Sequence, residues 1–370
     1  MIVDSHMHLF PDLSSASGFT SIEEHLRGLQ RQSYYNVNPT RRKADQSIVA
    51  ENHLWDGTDP GVGGLTDVGF RVGPFGTQEW EVDGEEYYVQ LFAPSLQTNA
   101  SSPEYILAEM NYAGVDVAVI QQGPTYGRLN SFSLDCMTRF PDRFVGLAQI
   151  AEETADTDES LEELQTLVSS GFKGLFYSQL GFWESGGTER ADAVKYESFW
   201  DAVRSAGLVV FWDQNSDVSG RDGYLDQLGQ LARILERVGP LPIVVVQAFP
   251  IGTFAPDMRY ELPPILHELA ALESVLFELA YPISYGGTFE YPYTELLPLI
   301  QQLYDWFGPE KLVWGSDMPN VLRYCTYKQS LQYLSHCPIL SRDDLALISG
   351  GNLARAFSLE EPTSKGPSLA

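Results

Sequence analysis

The chain has 370 residues, 44% of them hydrophobic and 12% aromatic, enough to bury a large core. Its 23 basic and 50 acidic residues give a formal charge of −27, which argues against nucleic acid or an anionic membrane surface as a partner. Three widely spaced cysteines (Cys136, Cys325 and Cys337) form neither a disulfide framework nor a zinc-finger pattern, and suit a reduced, cytoplasmic protein.

Met1 leads straight into an apolar strand at residues 2–3, with no basic n-region, and no apolar run is long enough to span a membrane. A long insertion follows, at residues 11–102. Within it, residues 21–32 read as a helix with Ser21 and Glu24 as a capping box. Trp80-Glu81-Val82, the turn Asp83-Gly84 and Tyr87-Tyr88-Val89 read as a β-hairpin. From Ser102 a regular alternation begins. Ser102 caps a helix at 103–112, with Pro103 at its first position and Gly114 at its stop. Apolar strands are predicted at 115–121, 144–150, 172–177, 208–213, 243–247, 274–279 and 311–316. Helical stripes occupy 225–238, 295–307 and 341–348. With the first strand there are eight strands alternating with helices, which implies an α/β parallel sheet closed as a (β/α)₈ TIM barrel with a long insertion after the first strand. The expected organisation is one domain, 1–359, including the 11–102 insertion as a lid over the active site, and a flexible C-terminal tail at 360–370.

Barrel active sites lie at the C-terminal ends of the strands. His6 and His8, two apart at the end of the first strand, point to the same face and make half a metal site for a divalent ion, zinc first and manganese second. Asp317 ends the eighth strand, where it can bind that metal or act as general base. Glu278 stands alone in the apolar run Phe277-Glu278-Leu279, as a site residue or one half of an ion pair. Gln121, Gln149, Tyr177 and Gln247 fall at strand ends and can line the pocket, and Trp212 suits a planar substrate. His53 lies in the insertion, from which it can reach over the site or remain a surface residue. No P-loop, dinucleotide fingerprint or nucleophile elbow occurs at a strand end.

Asp4-Ser5-His6-Met7-His8 resembles the Asp-x-His-x-His opening of amidohydrolase-superfamily barrels. Gly315-Ser316-Asp317-Met318-Pro319 resembles the Gly-Ser-Asp-x-Pro of their eighth strand, and Gly351-Asn352-Leu353-Ala354-Arg355-Ala356-Phe357 their closing helix. The chain is similar to the amidohydrolase-related branch that contains aminocarboxymuconate semialdehyde decarboxylase, along with lactonases and other hydrolases. The resemblance implies one bound metal and, by fold analogy, a homodimer. It also exposes two departures. Where the family places a histidine ligand after strand five, the matching position here is Asp213, which can still bind a metal. Where it places a histidine after strand six, this chain has Gln247, which hydrogen-bonds but exchanges no proton. Three functions follow for a small-molecule substrate. The first is hydrolysis of a small cyclic or carboxylated carbonyl compound, of lactone or amide type, by metal-activated water. The second is non-oxidative decarboxylation of an aromatic or muconate-like acid. The third is a catalytically altered binding protein.

Overall fold

A computed structural model describes residues 1–35, 38–59, 62–184, 189–214, 216–250, 262–280 and 289–360. Most of the tail expected at 360–370 lies outside the described residues.

Eight parallel strands form one sheet, in the order β1 (Val3–Met7), β6 (Val117–Ile120), β7 (Phe144–Gln149), β8 (Gly174–Ser178), β9 (Val209–Asp213), β10 (Ile243–Val246), β11 (Val275–Leu279) and β12 (Leu312–Trp314). The sheet closes just past β12. Met7 bridges Met318, and the His8 N–H donates to the Met318 carbonyl at 2.8 Å. Helices flank it, as the alternation of the sequence requires. The first of these, Pro103–Ala113, begins with the Ser102 side chain accepting from the Tyr105 N–H and ends at Gly114 with φ 81°.

Alternation along each strand separates two cores. Val3, Val117, Val119, Leu147, Val209, Phe211 and Val246 fill the barrel interior, floored by Leu353 and Phe357. Their neighbours, among them Ala118, Ile120, Val210 and Val245, face the helices. One strand breaks the alternation. Between Asp4 and Met7 the register of β1 against β6 slips, so three steps on β1 match two on β6. This irregularity is a bulge, which re-aims side chains where a regular strand cannot.

The insertion carries a helix, α1 (Ile22–Tyr35), and an antiparallel sheet of four strands. These are β2 (Arg41–Arg42), β3 (Arg71–Val72), β4 (Thr77–Val82) and β5 (Glu85–Gln90), in the order β2-β5-β4-β3. The expected hairpin is β4–β5, turning at Asp83 and Gly84 with φ 52° and 80°. Its inner face is a separate small core of Leu54, Trp80, Tyr87 and Val89. The basic run Arg41–Arg42 with Lys43 does not form an open patch: Arg42 pairs with Glu85, and Lys43 with Glu79 and Glu86. The insertion is stitched to the barrel mouth where Gly18 bridges Gly127. A Cβ on either glycine would fall 2.4 Å from backbone of the other strand of the contact, so no larger residue fits. Between α1 and the ends of β7 and β8 lies a cavity of about 560 Å³, lined by Arg27, Gln122, Gln149, Glu152 and Phe176.

Phe211 is fully buried at the barrel centre and stacks with Phe357, ring centroids 6.0 Å apart. Phe211→Ala is expected to cost about 3–5 kcal/mol, read as a lower denaturant midpoint with the slope unchanged.

Candidate metal centre

The mouth of the barrel is organised from below by Glu278. It points inward from β11 and is fully buried. Its Oε1 accepts from His6 Nδ1 at 2.8 Å and from the Gln247 N–H at 3.1 Å. Its Oε2 accepts from the Ser5 hydroxyl at 2.6 Å and from Gln121 Nε2 at 3.2 Å. The β1 bulge makes this possible: Ser5 and His6 are consecutive, yet both reach the same carboxylate. Gly315 is required there for space, because a Cβ would lie 2.5 Å from Ser5 Oγ and 2.8 Å from Glu278 Cδ.

Asp4 plays a matching role behind β1. Its fully buried carboxylate accepts from the backbone N–H groups of His6 and Ser316, and from the hydroxyls of Ser316 and Tyr327. Burial pushes its pKa up to about 6, against these four donors. Asp4 thus ties β1 to the segment after β12 and fixes the spacing between His6 and Asp317.

Three ligand atoms converge above Glu278. His6 Nε2 lies 3.1 Å from His8 Nε2, and Asp317 Oδ1 lies 3.1 Å from His8 Nε2 and 3.7 Å from His6 Nε2. The outer nitrogens fix the chemistry of the inner ones. His8 Nδ1 faces the Gln121 carbonyl at 2.8 Å, an acceptor only, so Nδ1 carries the proton and Nε2 a lone pair. His6 Nδ1 is turned the same way by Glu278. Two lone pairs and a carboxylate oxygen therefore meet with no hydrogen between them, which is unfavourable unless a cation sits among them. Around an ion with bonds of about 2.1 Å, tetrahedral ligands stand about 3.4 Å apart, and the observed edges bracket that value. With a proton as the only cation, burial opposes a charge on His6, but Glu278 and then Asp317 outweigh it and push its pKa up to about 9. Burial likewise opposes ionisation of Asp317, yet the two histidines hold it down at about 2. Both directions report a site built for positive charge.

The other sequence-predicted residues divide. Gln247 does reach the site: its Nε2 donates to Asp317 Oδ2 at 3.1 Å. Strand alternation aims it outward, but its backbone is left-handed, φ 43°, and turns it back. Asp213 faces inward on β9 but stands outside the group of His6, His8 and Asp317. Its carboxylate accepts from Ser178 at 2.8 Å, and burial raises its pKa. Gln121 supports the site instead of lining it, its amide donating to the Ser5 carbonyl and to Glu278. Gln149 is spent on turn hydrogen bonds to Gln122, Gly127 and Leu129.

Three expectations are corrected. Tyr177 and Trp212 point away from the barrel interior and stack on each other in the helix layer, centroids 5.3 Å apart. Trp212 precedes the inward-facing Asp213, so alternation forces it outward. His53 is exposed beside Tyr87 of the insertion sheet, with ring centroids 6.1 Å apart, and does not reach over the metal centre.

Two residues on connecting loops complete the site. Asn320 Nδ2 donates to Asp317 Oδ1 at 2.8 Å, and the Tyr126 ring packs on His8, centroids 5.4 Å apart. Neither lies on a strand or a periodic helix, so no pattern marks them.

The amidohydrolase family model matches residues 3–359. The chain belongs to the amidohydrolase family. Among curated proteins, no sequence matches it significantly. Solved structures share its fold. A probable 2-pyrone-4,6-dicarboxylic acid hydrolase from Acinetobacter baumannii, determined with citric acid bound, is 17% identical with a TM-score of 0.53, over 70% of this chain and 90% of that one. A 2,6-dihydroxybenzoate decarboxylase from Rhizobium is 16% identical with a TM-score of 0.52, over 69% and 88%. An amidohydrolase from Burkholderia multivorans, determined with bound zinc, is 16% identical with a TM-score of 0.52, over 71% and 90%. Metal dependence is a property of this family, and among the described residues His6, His8 and Asp317 form a group that could hold the ion.

Glu278→Gln keeps an acceptor for His6 but removes the charge behind it. It is expected to weaken divalent-metal affinity by about 10–100-fold, measured by competition with a chelating dye.

Proposed function

We propose that this amidohydrolase is a zinc-dependent hydrolase of a small cyclic or carboxylated carbonyl compound, of lactone or amide type. The observation that carries the reading is the convergence of His6 Nε2, His8 Nε2 and Asp317 Oδ1, with the proton of each imidazole placed on the far nitrogen. Zinc favours such nitrogen and oxygen donors, and the Burkholderia relative holds zinc. When bound, the ion supplies Lewis-acid polarisation of the carbonyl and activation of water near neutral pH.

The chain's own residues do the rest. Asp317 offers Oδ1 to the ion, and its carboxylate is the group placed to take a proton from the nucleophile. Gln247 holds Asp317 Oδ2 and cannot itself exchange a proton, so it acts by positioning that carboxylate. The insertion, residues 11–102, serves as a cover over the barrel mouth, to which Gly18 ties it at Gly127. The 560 Å³ cavity beneath α1 is lined by Gln122 and Gln149 and by none of the metal-binding side chains. Cys136, Cys325 and Cys337 are all free thiols, which supports a cytoplasmic setting. No helix among the described residues is long and apolar enough to cross a membrane.

Decarboxylation is the second reading, favoured by the shared fold of the Rhizobium enzyme. It needs a proton donor for the ring carbon, and Gln247 supplies none.

Elemental analysis of protein purified without added metal is expected to find about one zinc ion per chain, lost in His6→Ala and Asp317→Ala. A wild-type chain that neither carries nor takes up zinc would sink the proposal. Ring opening of 2-pyrone-4,6-dicarboxylate, followed by loss of pyrone absorbance, is the expected activity. Carbon dioxide release from 2,6-dihydroxybenzoate, without ring opening, would transfer the assignment to the decarboxylase reading. Gln247→Ala is expected to keep its zinc and lower kcat at least about tenfold, with KM little changed.

A further inference from the structure

Glu278, Asp317 and Asp213 all stand at the mouth of the barrel, and hydrogen-bond donors serve them unequally. Glu278 accepts four bonds. Asp317 is held by the Gln247 and Asn320 amides and stands beside both histidines. Asp213 accepts one bond, from the Ser178 hydroxyl to its Oδ2 at 2.8 Å, and among the described residues nothing is bonded to its Oδ1. It is also the most accessible of the three: Glu278 and Asp317 are buried, whereas Asp213 is half-buried.

Alternation and register fix its place. Phe211 points into the barrel interior, so Asp213, two residues on, does the same at the last step of β9. It is paired with Ser178 on β8 and with Val246 on β10, the residue before Gln247. In the ring of eight strands β9 stands four places from β1, which puts Asp213 across the mouth from His6 and His8. A carbonyl held at the metal centre therefore has the ligand group on one side and Asp213 on the other. Ser178 is fully buried, and its oxygen accepts from the Leu180 N–H at 3.3 Å, so its own proton is directed at Asp213 Oδ2. Oδ1 is then the atom that carries a proton when the carboxyl is neutral. Burial is the largest influence on the Asp213 pKa and raises it; the Ser178 bond and His6 lower it, Glu278 raises it and His8 lowers it. Its neighbours on the adjoining strands, Ser178, Val246 and Gln247, do not titrate. A carboxyl with a single donor in a poorly solvated place is held toward its neutral form.

We propose that Asp213 is the proton donor of this centre and delivers its Oδ1 proton to the ring oxygen that departs when a lactone opens. The assignment rests on the metal-hydrolase reading of the same site. The step balances without a further reagent. Water loses one proton to the Asp317 carboxylate while its oxygen bonds to the carbonyl carbon. The bond between that carbon and the ring oxygen then breaks, the bonding pair leaves with the oxygen, and the Asp213 proton neutralises it. Asp317 ends with one proton more and Asp213 with one fewer, solvent returns the difference, and the product is a hydroxy acid. An alkoxide is a poor leaving group, so the second half of the reaction needs an acid, and Gln247 cannot serve as one.

Hydrolysis of two neutral lactones by the zinc-loaded protein tests this, because different groups depart. δ-Valerolactone releases an alkoxide, and dihydrocoumarin releases a phenoxide, which needs little protonation. Asp213→Asn is expected to lower kcat on δ-valerolactone by about a hundredfold or more, and on dihydrocoumarin by less than about tenfold. The wild-type rate on δ-valerolactone is expected to fall as pH rises through the Asp213 pKa, because the donor must be protonated, and Asp213→Asn should lose that fall. Ser178→Ala removes the one donor to the ionised form, so the fall should move to higher pH. Zinc content measured on the same samples should be equal in all three proteins. An equal effect on the two lactones, an unmoved alkaline limb in Ser178→Ala, or zinc lost from Asp213→Asn would each overturn the assignment and leave the hydrolase reading standing. A wild type that opens neither lactone, or that instead releases carbon dioxide from 2,6-dihydroxybenzoate, would overturn the hydrolase reading and the assignment with it.

Discussion

The Glu278 carboxylate, wholly buried at the mouth end of β11, costs several kcal/mol unless donors surround it. The donors it finds come from the first strand and from the residues just past β6 and β10. Meeting that one requirement pulls four segments of chain to a point. It explains the bulge in β1, which lets Ser5 and His6 face the same carboxylate. It explains the glycine at 315, whose missing side chain leaves the space that Glu278 fills. It also explains the orientation of His6, whose outer nitrogen is held so that its inner one is free to bind.

From that base the site is assembled by opposed demands. Three acceptor atoms are brought together, although they repel unless a cation joins them. Two residues hold left-handed backbone to complete the arrangement, Gln247 with φ 43° and Asp317 with φ 58°. Such conformations cost of order 1 kcal/mol each, and they persist here because their side chains are bonded to each other. Stability given up locally is recovered in the apolar barrel interior, whose valines and phenylalanines are set by simple alternation.

Several parts of this site are legible in the amino-acid sequence. His6 and His8 share a face because strand side chains alternate, and Asp317 ends a strand whose apolar run is unmistakable. Glu278 is conspicuous as a lone charge between Phe277 and Leu279. Other positions mislead although the rule that places them is simple. Trp212 and Tyr177 are excluded from the interior by the same alternation that places Asp213 and Ser178 inside it. Asp4 and Gly315 sit within recognisable motifs, but their work is to bridge and to leave room. Tyr126 and Asn320 lie on short 3-10 turns between the regular elements, too brief for a period to link position to direction.

The eight-strand rhythm, the capped first helix, the insertion hairpin and the ligand-bearing ends of the first and eighth strands all follow from the order of residues. These are properties of neighbours along the chain, governed by local geometry and burial. Which strand-end residues meet is a matter of tertiary packing alone. His8 and Asp317 are 309 positions apart, and Ser5 and Glu278 are 273 apart. Their contact depends on how the sheet closes, where β1 bulges and which backbones turn left-handed. Those choices are settled by packing the whole barrel at once, so a pair of histidines near the N-terminus joins a group that could hold a metal ion only through a carboxylate from the far end of the chain.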